Sequence, residues 1–210
     1  MPADRAHPRE RDDKVLHIVD DEEAIRDSLV WLAQSRRIEA SGYDGVRPFL
    51  DMLGTDYAFS PEGDCLLLDM RMPDMSGALL FDTLAARGLT RRMPVIFLTG
   101  HGDVPMAVDS LKRGAFDFFE KPFNDNKLMD RVQEALQASL EAGDQAQVQA
   151  RLASLSSRER EVMDLILEGR MNKVIADMMG ITMRTVEVHR AHLFAKMGVR
   201  TAVELARLLK

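Results

Sequence analysis

Four short motifs in a fixed order constrain this chain most: LHIVDDE at 16–22, LLLDMRMPDMSG at 66–77, IFLTGHGD at 96–103 and FFEKPF at 118–123. In each, an acidic, hydroxyl or lysine residue lies at the C-terminal end of an apolar run. Such short runs read as strands buried on both faces. In an open parallel sheet the C-terminal strand ends meet along one edge, where ligands bind. The expected result is a pocket holding Asp20, Asp21, Asp69, Thr99 and Lys121. Three carboxylates suit a hard dication, and a hydroxyl with an ammonium suits a phosphoryl group.

The spacing between the runs completes the fold. VLHIVD, CLLLDM, PVIFLT and DFFEKP alternate with helical stretches at 22–35, 44–54, 77–87, 103–113 and 125–140, and IEASGY at 38–43 reads as an edge strand. Five strands in strict alternation with five helices predict a doubly wound α/β parallel sheet. Residues 1–13 are expected to be a disordered tail, with this first domain over 14–136. EAGDQAQVQARLAS then reads as a helical or flexible linker over 137–153. From 154 to 210 no strand pattern remains. Helices are expected at about 156–168, 172–179, 183–197 and 201–209, with Gly169, Gly180 and Gly198 ending the first three.

Magnesium takes one or two protein carboxylates and keeps several waters. Clustered acids without a cation oppose one another's ionisation. A metal removes that cost and screens Asp69 from an incoming phosphate, so that the carboxylate can act as nucleophile. Thr99 can donate to a phosphoryl oxygen and Lys121 can pair with another. A cis bond before Pro122 would aim the lysine inward. Taken alone, Asp20-Asp21 would be a helix cap more often than a metal site. The joint occurrence of all the motifs at successive strand ends is what carries the reading.

Charge is unevenly spread. Residues 151–210 carry 11 Lys/Arg against 7 Asp/Glu, whereas residues 1–150 carry 17 against 27. A basic end on an acidic body suggests a nucleic-acid-binding module. Cys65 is the only cysteine, which excludes an internal disulfide, and its apolar surroundings suggest an inert thiol. No apolar run approaches the roughly 18 residues of a membrane span, and the polar N-terminus does not read as a secretion signal. A cytoplasmic protein without membrane contact is expected.

In the basic segment, Ser156 with Glu159 fits a capping box and Thr182 a helix cap. Residues 172–197 form a helix-turn-helix candidate whose second helix would lie in a DNA major groove. Val186, Leu193 and Met197 mark its apolar stripe, and His189 falls on the same stripe as a packing residue. Glu187, Val188 and Ala191 face away as candidate groove contacts. Lys173, Arg184, Thr185, Arg190, Lys196 and Arg200 are candidate phosphate contacts. Met178, Met179 and Met183 read as core filler.

On its four motifs, the segment 14–140 resembles the receiver domain of two-component response regulators. The resemblance implies a flavodoxin-like sheet of order 2-1-3-4-5 with Asp69 as phosphoacceptor. It implies Mg2+ (or Mn2+) held directly by Asp21 and Asp69, by Asp20 through water, and by the main-chain carbonyl of Arg71. Thr99 and Phe118 would be the switch pair, and Lys121 the lysine that binds the phosphoryl group. DMRMPDMSG and TGHGDVPMAV resemble the nitrogen-fixation regulator subgroup, in which the fourth helix and fifth strand form a dimer face after phosphorylation; Val108, Lys112 and Asp117 fall there. LSSRERE, NKVIA and TVEVHRAHLFAKMGV resemble the LuxR-type DNA-binding domain, here a four-helix unit.

The resemblance implies a DNA-binding transcriptional regulator phosphorylated by a sensor histidine kinase. It would form a homodimer on phosphorylation, bind double-stranded DNA and work with RNA polymerase, activating promoters. It would be no enzyme, but a phosphoacceptor that assists its own phosphorylation and dephosphorylation. A magnesium phosphatase that forms an aspartyl-phosphate would carry a second acid two residues after the nucleophile, where Arg71 stands. A regulator answering to a small ligand would not need the acidic pocket.

Overall fold

The computed structural model describes residues 13–73, 75–100 and 104–209. All but the last residue of the expected N-terminal tail lies outside them. The described chain forms two compact units that divide between Gly143 and Asp144.

The first unit alternates strand and helix: β1 (Val15–Val19), α1 (Glu23–Ser35), β2 (Glu39–Tyr43), α2 (Val46–Leu53), β3 (Asp64–Asp69), α3 (Gly77–Ala86), β4 (Val95–Thr99), α4 (Val104–Lys112), β5 (Asp117–Glu120) and the larger part of α5 (Asp125–Ala153). All strands pair in parallel, in the order β2-β1-β3-β4-β5. Every residue of β1, β3 and β4 is buried, whereas β2 and β5 are partly exposed, as edges are. Side chains alternate between the two faces with the period of the strand. Leu66 and Leu68 join Val19, Phe49, Phe81 and Phe97 in one core. Cys65 and Leu67 join Ile18, Leu29, Ile96 and Val132 in the other. Helices cover both faces, so the strands can be apolar throughout. Burial, with the nearby Asp64 charge adding to it, raises the Cys65 thiol pKa far above that of an ordinary cysteine, so the thiol is inert.

α5 is longer than the sequence suggested. The helical stretch expected over 125–140 continues without a break through 137–153, the segment read as a helical or flexible linker, to Ala153. The Ala- and Gln-rich stretch has high helix propensity and no proline, so nothing in it breaks the backbone hydrogen bonding.

The second unit is helical: α6 (Ser157–Leu167), α7 (Asn172–Met179), α8 (Met183–Met197) and α9 (Ala202–Leu208). Ser156 and Glu159 close the expected capping box, and Thr182 accepts the Thr185 amide. Gly169, Gly180 and Gly198 end their helices with φ of 78°, 66° and 69°, left-handed values that favour glycine. Val162, Ile166, Ile175, Val186, Leu193 and Met197 share one core. The three methionines expected as filler divide. Met179 is buried, but Met178 and Met183 are 58% and 48% exposed, because they lie on the outer sides of their helices.

Candidate functional site

The crossing order of the sheet places β1 beside β3, with the chain turning outward in opposite directions on either side. That switch point opens a crevice at the C-terminal strand ends. Asp20 follows β1, Asp69 ends β3, Thr99 ends β4 and Lys121 follows β5. The amide of Lys121 donates to the Thr99 carbonyl at 2.8 Å, which fixes the lysine backbone beside β4. The Lys121–Pro122 bond is cis.

Lys121 Nζ lies 2.7 Å from Asp69 Oδ1 and 2.9 Å from Asp20 Oδ2, with Glu22 Oε1 at 3.4 Å. Both aspartates are buried, Asp20 fully. Asp69 Oδ2 accepts the Arg71 amide at 2.8 Å, and Asp20 Oδ1 accepts the Glu22 amide at 2.9 Å. Burial pushes the Asp69 carboxyl pKa up, and the Asp20 charge adds to this, although the Lys121 bond pulls the other way. Burial alone would lower the Lys121 pKa. Its bonds to Asp69 and Asp20 outweigh that and keep the ammonium charged. Among the described residues, Thr99 Oγ1 is buried with no hydrogen-bond partner. An unpaired buried hydroxyl costs about 1–3 kcal/mol, so this oxygen is free to donate to an acceptor. Phe118 pairs with Phe97 across the sheet and is half-buried against the core.

The residues present suit a hard dication. Asp20 and Asp69 supply two carboxylates, and Asp21 stands exposed beside Asp20. Among the described residues no three His, Cys, Asp or Glu side chains gather into a closed cage. An open site of one or two carboxylates, a carbonyl and waters is the arrangement magnesium favours. Lys121 supplies the positive charge between the two acids.

Sequence reading missed Gly77. A Cβ there would stand 2.1 Å from the carbonyl oxygen of Asp69. The Gly77 amide instead donates to the Met70 carbonyl at 3.1 Å, which holds the start of α3 against the end of β3. The signal was the glycine that closes DMRMPDMSG.

The dimer-face candidates lie on α4 and β5. Val108 is 40% exposed and Lys112 is exposed. Asp117 is taken up within the chain: its Oδ2 accepts Arg131 Nε at 2.7 Å, and the guanidinium of Arg131 stacks 4.3 Å from the Phe116 ring.

On α8, Val186, Leu193 and Met197 are buried, His189 is half-buried, and Glu187, Val188 and Ala191 are exposed. Lys173, Arg184 and Arg200 are also exposed. Thr185 Oγ1 contacts the capping hydroxyl of Thr182 at 2.8 Å. Arg190 Nη1 donates to Asn172 Oδ1 at 2.8 Å. Lys196 differs from the other candidate phosphate contacts. Its ammonium lies 2.7 Å from Oε2 of the buried Glu159 and 3.1 Å from the Ser154 carbonyl, so its charge is committed inside the domain.

Comparisons with known proteins cover most of the chain. Residues 16–133 match the response regulator receiver domain, and residues 153–209 match the bacterial regulatory proteins of the luxR family. The C4-dicarboxylate transport transcriptional regulatory protein DctR of Rhodobacter capsulatus is 52% identical over 197 residues, covering 92% of this chain and 98% of that protein. The transcriptional regulatory protein FixJ of Rhizobium meliloti is 40% identical over 202 residues, covering 93% and 95%. A solved structure of the response regulator StyR superposes with a TM-score of 0.69 at 37% identity, covering 94% and 98%. Full-length FixJ from B. japonicum gives 0.56 at 39%, covering 93% and 95%. Two family models that together span most of the chain, and full-length relatives at 40–52% identity, show that the chain belongs to the two-component transcriptional response regulators, with a receiver domain and a LuxR-type DNA-binding domain.

Proposed function

We propose that Asp69 accepts a phosphoryl group from the phosphohistidine of a sensor kinase. A carboxylate oxygen of Asp69 forms the new bond to phosphorus as the phosphorus–nitrogen bond breaks, and the departing imidazole keeps the electron pair and takes up a proton. The observation that carries this reading is the buried, unpartnered Thr99 hydroxyl next to an Asp69–Lys121 pair 2.7 Å apart. Thr99 donates to one phosphoryl oxygen and Lys121 shifts its ammonium to another. Asp20, Asp21, Asp69 and the Arg71 carbonyl would hold Mg2+ or Mn2+, which supplies charge neutralisation at the transferring group. The same groups assist loss of the phosphoryl group to water.

Filling the Thr99 site draws that hydroxyl and Phe118 inward as the switch pair. The α4 and β5 surface with Val108, Lys112 and Asp117 then favours a homodimer. In the second domain, α8 enters the major groove of double-stranded DNA with Glu187, Val188 and Ala191 toward the bases. Lys173, Arg184, Thr185, Arg190 and Arg200 contact phosphates. Lys196 is left out of that set, because Glu159 holds it. The domains follow one another as receiver, 14–136, linker, 137–153, and DNA-binding domain, 154–210. The setting is the cytoplasm, with promoter activation through RNA polymerase.

Incubation with a small phosphodonor and Mg2+ should label the native chain and not the Asp69→Asn variant. Persistent labelling of that variant would sink the assignment. Sizing with and without beryllofluoride tests the dimer in the same preparation.

A further inference from the structure

On α8, Arg190 is held in a defined posture by another side chain. Its Nη1 donates to Oδ1 of Asn172, the first residue of α7, at 2.8 Å. Its guanidinium also lies over the Phe194 ring, 5.4 Å from the centroid and one helical turn along α8. No carboxylate among the described residues pairs with it. The planar guanidinium presents its donors as a fork, so pinning one end and stacking the plane leaves the other edge aimed in a fixed direction. Its remaining nitrogens have no hydrogen-bond partner among the described residues, and they are not among the buried unpaired atoms. Lys196 shows the opposite case, a cation neutralised by a buried acid.

We propose that Asn172 is a positioning residue, holding Arg190 ready to take a backbone phosphate of duplex DNA. This rests on the DNA-binding reading above and adds a residue that touches no DNA itself. An arginine ordered in advance does not lose its rotamer freedom on binding, which would otherwise cost about 2- to 10-fold in affinity.

The test is anisotropy titration of the full chain, treated with beryllofluoride and Mg2+, against a labelled duplex of arbitrary sequence over a range of salt. Phosphate contacts dominate such binding, so no operator is needed. Arg190→Ala should lower the slope of log affinity against log salt by about 1. Asn172→Ala keeps every cation, so the slope should hold while affinity falls about 2- to 10-fold. In the Arg190→Ala background, Asn172→Ala should cost nothing further. A loss that persists in full in that background would make Asn172 a structural residue of α7 and overturn the proposal. Unchanged binding by Asn172→Ala, or an unchanged slope for Arg190→Ala, would also overturn it while leaving the DNA-binding reading intact. A native chain that binds no duplex would overturn both.

Discussion

Each domain contains a lysine paired with a buried carboxylate, and the two pairs behave in opposite ways. In the receiver, Lys121 lies 2.7 Å from Asp69 in a site where burial raises the acid's pKa and the Thr99 hydroxyl has no partner among the described residues. In the DNA-binding domain, Lys196 lies 2.7 Å from Glu159. There the Lys196 bond, with the Ser156 amide next in strength, pulls the Glu159 pKa down to about 2. The distances are the same. What differs is whether the surrounding polar groups are satisfied. Glu159 closes a capping box and every partner is present, so the pair stabilises α6. Asp69 sits beside a buried hydroxyl that has no hydrogen-bond partner among the described residues, and under the proposed function the pair serves chemistry.

The sharpest way to break that comparison is to remove each lysine in turn. Lys121→Ala should slow phosphodonor labelling by about 100-fold or more, as loss of one charge-stabilising donor does. Lys196→Ala should leave labelling unchanged. Equal effects would erase the distinction. Next in size is Gly77→Ala. A methyl group 2.1 Å from the Asp69 carbonyl oxygen must displace the loop, with an expected cost of about 1–3 kcal/mol in denaturant unfolding and slower labelling.

Smaller again is the stability cost of Lys196→Ala. It leaves Glu159 buried without its cation and should cost about 1–2 kcal/mol in the melting of the DNA-binding domain. The salt slope for DNA should not change; a fall of about 1 would return Lys196 to the phosphate contacts. The smallest effect is the pH dependence of Glu159. Its folded pKa of about 2 lies below the ordinary 4.5, so its contribution is full above pH 4.5 and is lost as pH falls toward 2. After discounting for the solvent-open Lys196 side, about 1 kcal/mol should disappear over that window. Glu159→Gln should flatten that part of the acid-stability curve, and an unchanged curve would remove the stabilising role from the pair.

Much of this was legible in the chain. Strand ends carrying Asp20, Asp69, Thr99 and Lys121 follow from apolar runs of fixed length, and the helix ends at Gly169, Gly180 and Gly198 follow from local backbone preference. These features are local, so a window of a few residues contains their cause. The sequence left 137–153 open as a helical or flexible linker, because a polar Ala- and Gln-rich stretch satisfies a helix and a tether equally well by composition, and α5 continues through it. The exposure of Met178 and Met183 was misjudged because a methionine next to a core position looks the same whether its helix turns it in or out.

The sequence by itself determined the order of strands and helices, the acids and the hydroxyl at the strand ends, and the caps of α6 and α8, because each depends on neighbours within about one turn or one strand. Only the tertiary structure decided what each charged group faces. Lys121 and Asp20 are separated by 101 residues, Lys196 and Glu159 by 37, and Arg190 and Asn172 by 18. Pairing over such separations depends on how the elements pack, and packing decides whether a cation neutralises a buried acid or keeps its charge unpaired.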